Sequence, residues 1–114
     1  MSFPVSRSNS PHYLWGGVCD GWRLVDGANL SVIEERVPPG GGERRHHHER
    51  ARQFFYVLEG EAVIEVEGTE QVVAKGQGLE VPPGSRHQFL NRSAAEVFFL
   101  VISSPPTKGD RIEE

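Results

Sequence analysis

At 114 residues, 37% of them hydrophobic, the chain can bury one core and is too short for two. Its twelve basic residues are outnumbered by sixteen acidic ones, giving a net charge of −4. Nucleic acid and anionic membrane surfaces both call for a basic field that is lacking here, so neither is expected as a partner.

The N-terminal stretch "MSFPVSRSNSPH" has no apolar segment of signal-peptide length. No run of about 18 apolar residues follows anywhere. Cys19, the single cysteine, has no intrachain partner and fits a reducing compartment, so a soluble cytoplasmic protein is expected. The triplets beginning at Asn29 and Asn91 are then accidental matches to the glycosylation pattern.

Two weak strand signals, "HYLWGG" and "GWRLVDG", make residues 1–30 an arm of edge strands. Its Trp15 and Trp22 suggest a homodimer contact. Stronger signals follow over residues 31–104: "LSVIEERV", "FFYVLEG", "AVIEVEG", "QVVAKG", "GLEVPPG", "HQFLN" and "EVFFLVIS". Turn-forming groups separate them at spacings of roughly 8 to 12 residues, as in an antiparallel sandwich or barrel. No helical stripe competes, and the predicted architecture is all-β. Residues 105–114 are polar and proline-led, and are expected to run over the surface.

Within "GERRHHHERARQFFYVLEG", strand parity divides the three histidines. His46 and His48 project to one face and His47 to the other, which presents two imidazoles to one ion. Two donors leave a metal under-coordinated. His87, opening the strand "HQFLN", can face them across a closed barrel. Gln53 is a further donor if a turn or bulge after His48 brings it to the same face.

These residues fall into two spaced motifs. Gly40, five residues, His46-His47-His48, four residues, Gln53, six residues and Gly60 resemble the first motif of the cupin family. Gly76, five residues, Pro82-Pro83-Gly84, two residues, His87, three residues and Asn91 resemble the second. The resemblance implies a single-domain cupin β-barrel, a jelly-roll-like double-stranded β-helix. It also implies one divalent metal held by His46, His48, Gln53 and His87. Gln53 is the one departure, since the family usually has a glutamate at that position. An all-neutral ligand set should bind a cation more weakly than a carboxylate site and leave it a stronger polariser of bound groups. Whether Gln53 binds the ion or only supports it by hydrogen bonding is left open. Zinc, iron, nickel and manganese all suit imidazole donors.

Around the motifs, Arg44, Arg45, Arg50, Arg52 and Arg86 form either a basic mouth for an anionic substrate or a set of solvated loop charges. Phe55 and Phe89 either line a substrate pocket or belong to the core. Asp110 and Arg111 in the tail are candidates for a general base and an anion clamp if the tail folds over the barrel mouth. The alternative is an exposed ion-paired tail.

Together these features suggest a metal-dependent enzyme of the lyase or isomerase type, acting on a small carbonyl-bearing or sugar-derived acid. An iron-dependent dioxygenase and a non-catalytic small-ligand sensor are the alternatives. The proton carrier is the gap in the enzymatic reading, because "EVFFLVIS" offers no inward acid or base after Glu96.

Overall fold

All of the strand signals between His12 and Ser104 become strands in the computed structural model, which describes residues 2–114. They are β1 (His12–Trp15), β2 (Cys19–Asp26), β3 (Ser31–Val37), β4 (His46–His48), β5 (Arg52–Glu59), β6 (Glu61–Val66), β7 (Thr69–Ala74), β8 (Gly78–Val81), β9 (His87–Leu90), β10 (Val97–Ser104) and β11 (Arg111–Glu113). A 3-10 turn, Arg7–Asn9, precedes them. They form a six-stranded sheet in the order β1-β2-β3-β10-β5-β8 and a five-stranded sheet in the order β11-β4-β9-β6-β7. All pairings are antiparallel, and the result is a double-stranded β-helix. No helix among the described residues is long and apolar enough to cross a membrane.

Period-two alternation explains where the core lies. Along β10, Val97, Phe99, Val101 and Ser103 are buried, and along β5 so are Gln53, Phe55 and Val57. The register pairs Phe99 with Val57, Val101 with Phe55 and Ser103 with Gln53. Each inward row is therefore apolar for most of its length and polar at the same end. Phe89 of β9 stacks on Phe99 from the opposite sheet with ring centroids 3.9 Å apart. Full burial of a phenylalanine contributes about 2 to 3 kcal/mol, so this pair is a principal bond between the sheets. Phe89 is thus core rather than pocket lining. Gly60 makes the tight β5–β6 turn with φ of 87°, and a Cβ there would come within 2.5 Å of the Glu96 carbonyl oxygen.

One expectation changes and another is narrowed. The tail does not simply run over the surface: β11 pairs with β4, placing Arg111, Ile112 and Glu113 opposite His48, His47 and His46. Gln53 reaches the histidines by a turn after His48 and not by a bulge. Residues 49–51 carry the chain from the five-stranded sheet to the six-stranded one, so Gln53 faces the histidines from the opposite wall.

Candidate metal centre and its cavity

His46 and His87 are cross-strand partners on β4 and β9, and His48 follows two residues along β4. All three are buried, and one nitrogen from each lies within 4.8 Å of the others. His46 Nδ1 donates to the Arg44 carbonyl at 2.7 Å, and His87 Nδ1 to the Ser85 carbonyl at 2.9 Å. Each bond fixes the tautomer and leaves Nε2 with its lone pair free, the arrangement found behind metal-ligating histidines. Burial holds His46 down to about 3 and His48 to about 4, with the neighbouring His87 adding to the effect on both. His87 is lowered as well, again mainly by burial. At neutral pH all three imidazoles are uncharged donors.

Gln53 lines the same cavity as His46 and His48, from the other sheet. Its Nε2 donates to Ser103 Oγ at 3.1 Å, so Oε1 is the atom left to accept. That Oε1, His87 Nε2 and His48 Nδ1 are buried without a hydrogen-bond partner among the described residues. A buried polar atom left without a partner costs about 1 to 3 kcal/mol, and a cation between the two sheets would satisfy the acceptors among these. His47 points away from this wall, as parity predicts.

His46, His48 and Gln53 border a cavity of about 180 Å³ that is also lined by Tyr13, Trp15, Glu35, Glu43, Phe55 and Arg111. The volume equals that of about six waters at ~30 Å³ each, the scale of a small molecule. Phe55 is therefore at once core and pocket wall. The other arginines pair with acids outside the cavity: Arg45 with Glu65 and Glu114, Arg52 with Glu80, and Arg86 with Glu114. Arg111 makes only loose contacts, 4.0 Å from both Glu43 and Glu113, and its guanidinium is free to meet an anion.

Asp110 has a different role from the one expected. Its carboxylate accepts from the backbone N–H groups of Glu49, Arg50 and Ala51, with the closest contact at 2.9 Å. Burial opposes its ionisation, yet these donors and the Arg50 guanidinium prevail and hold it below the usual aspartate range. A carboxylate so occupied ties down the segment after β4 and has no free lone pair for proton abstraction.

The acids that do reach the cavity are Glu35 and Glu43. Glu35 lies on β3 in phase with the buried Ser31 and Val37, so alternation alone marks it as an inward carboxylate in a row it shares with Ile33. Burial raises it to about 7, against the lowering effects of Tyr13, Arg111 and Arg23. Burial, then the charge of Glu35, raises Glu43 to about 8. Glu43 also accepts from the Phe89 N–H and lies 3.9 Å from His46 Nε2. Its position before β4, among arginines, hid this role in the sequence.

A family model described as a cupin domain matches residues 33–103. The uncharacterized protein MJ1618 of Methanocaldococcus jannaschii is 29% identical over 83 residues, which cover 73% of this chain and 66% of that protein. The chain thus spans just under two thirds of that relative. A structure described as a sugar phosphate isomerase from a cupin superfamily, from Silicibacter pomeroyi DSS-3, superposes with a TM-score of 0.81 at 24% identity. The match covers 90% of this chain and 76% of that one. The polyketide cyclase RemF from Streptomyces resistomycificus gives a TM-score of 0.81 at 24% identity, over 93% and 81% of the two chains. At such identities these structures establish a shared fold.

Proposed function

The chain belongs to the cupin domain family, and from that premise we propose that it is a metal-dependent enzyme of the isomerase or lyase type, acting on a small carbonyl-bearing or sugar-derived acid. The observation that carries this reading is the set of unpartnered acceptors, His87 Nε2, His48 Nδ1 and Gln53 Oε1, beside a cavity that holds protonatable carboxylates and a free guanidinium. A divalent ion held by His46, His48, His87 and Gln53 would supply a Lewis acid for a substrate oxygen. Zinc, iron, manganese and nickel all suit the donors.

The chain's own residues supply the rest. Arg111 would pair with the substrate's carboxylate through its guanidinium fork. Phe55 and Trp15 exclude water from the apolar part of the substrate. The bound molecule is small, and proton transfer at the carbon beside a carbonyl suits acids that are raised toward neutrality. The fold relative described as a sugar phosphate isomerase is consistent with this class, although one fold hosts many chemistries.

A homodimer and a cytoplasmic setting belong to the same proposal. The dimer contact is argued from the outer face of the six-stranded sheet, where Phe54 pairs with Ile102 and Tyr56 with Leu100. It replaces Trp15, which faces the cavity. Light scattering that gives a monomer mass at micromolar concentration would remove the dimer.

The experiment is elemental analysis of the purified protein, followed by assay against sugar acids and diketones. Replacing His46 and His48 with alanine should abolish both metal content and turnover; turnover that survives the loss of metal sinks the reading. Dioxygen consumption confined to the iron-loaded protein would favour a dioxygenase. Capture of a ligand with no turnover would favour a sensor.

A further inference from the structure

Tyr13 and Glu35 are two strands apart, with Gly21 between them. The register sets Tyr13 opposite Gly21 on β2 and Gly21 opposite Glu35 on β3. With any larger residue at position 21 the reach across would be blocked. A Cβ there would come within 2.3 Å of the Tyr13 ring, which lies over the bare glycine. The Tyr13 hydroxyl thereby donates to Glu35 Oε2 at 3.1 Å. The Arg23 guanidinium also lies over the ring, 4.6 Å from its centroid. This is the only hydrogen bond to the Glu35 carboxyl group among the described residues, and it leaves Oε1 without one in a cavity whose lining also includes His46, His48 and Gln53.

We infer that Glu35 is the proton carrier of the reaction proposed above, and that Tyr13, held over Gly21, is the positioning residue that orients its carboxylate. The inference rests on the isomerase or lyase reading. In the step, Glu35 Oε1 takes a proton from the carbon beside the substrate carbonyl. The C–H electron pair becomes the C=C bond of an enolate, with the negative charge on the former carbonyl oxygen. Glu35 then returns the proton to a neighbouring atom, and the carboxylate is regenerated with no co-reactant. Burial raises Glu35 to about 7, which keeps both protonation states accessible near neutrality. Tyr13 is raised by burial and by Glu35, so it stays a donor throughout. The other titratable or charged groups facing this pair are Cys19, Arg23, Glu43, His46, His48 and Arg111.

The test is deuterium wash-in from D2O into pyruvate, 2-oxoglutarate, D-glucuronate and dihydroxyacetone, followed by mass spectrometry, with metal content measured alongside. Glu35→Gln should lower exchange at least 100-fold while metal content stays at the wild-type level, and Glu35→Asp should restore part of the rate. Tyr13→Phe removes the bond that lowers Glu35, so the rising limb of the pH–rate profile should move to higher pH. Gly21→Ala, which displaces the Tyr13 ring, should move it the same way. Glu35→Gln exchanging at the wild-type rate with its metal retained overturns the assignment and leaves the Lewis-acid reading intact. An unshifted Tyr13→Phe profile overturns the positioning role. Wild-type protein that exchanges none of the four compounds overturns the Lewis-acid reading and this assignment with it.

Discussion

Gln53 shows how one side chain sets the character of the centre. Its Nε2 is committed to Ser103 Oγ, and Oε1 is buried without a partner. Gln53→Glu keeps the shape and restores the carboxylate usual at this motif position. Zinc titrated calorimetrically should bind about 10-fold or more tightly to the variant, because a negative ligand compensates charge that the neutral set leaves in place. The metal-free variant should be less stable by about 1 to 3 kcal/mol, the cost of burying a carboxyl group that lacks a cationic partner. Unchanged zinc affinity would mean that position 53 does not touch the ion. Cavity acids were harder to read than ligands. His46, His48 and His87 follow from parity and spacing, whereas Glu35 appears only when β3 is read as Ser31, Ile33, Glu35 and Val37 on one face. Tyr13 requires knowledge that a glycine on the next strand opens a path across the sheet.

At the scale of elements, the histidine-bearing β4 is only three residues long and depends on its neighbours for support. On one side it pairs with β9 and on the other with β11, and the segment that leaves it is clamped by Asp110 through three backbone N–H groups. None of this was legible in "SSPPTKGDRIEE", because a three-residue strand carries no periodicity and a buried aspartate looks like any other charge. The strands from His12 to Ser104 were legible because turn residues bracket each apolar run. Asp110→Asn halves the acceptor capacity of the clamp and removes its charge. It should cost about 2 kcal/mol in urea unfolding, the value of charge-assisted bonds to backbone donors. It should also weaken zinc binding about 10-fold, since the next residue after His48 is released. Stability lost with zinc affinity intact would show that strand pairing places the histidines without the Asp110 clamp.

For the molecule as a whole, the cavity's buried acids and bases make opposite demands on pH. In the unfolded chain the three histidines titrate near 6.5 and the two glutamates near 4.5. In the folded metal-free protein the histidines are lowered, His46 to about 3 and His48 to about 4, while Glu35 and Glu43 are raised to about 7 and about 8. Below about pH 4.5 the two cavity glutamates are protonated in both states, while the histidines and the lowered Asp110 hold extra protons when unfolded, so stability rises steeply with pH. Between about 4.5 and 6.5 the unfolded state holds protons on His46 and His48 that the folded state lacks, with a further contribution from the lowered His87, against two carboxyl protons held only by the folded state. These nearly cancel, so the rise is shallow. Above about 6.5 the histidine difference vanishes, the carboxyl difference remains, and stability falls until Glu43 has ionised. Urea midpoints of the metal-free protein should therefore peak near pH 6.5. Zinc favours the ionised glutamates, so it should raise the midpoint and erase the decline on the alkaline side. A metal-free profile that is flat from pH 4.5 to 8 would show that these groups exchange protons with solvent as they do in the unfolded chain, and would remove the electrostatic basis for proton transfer in the cavity.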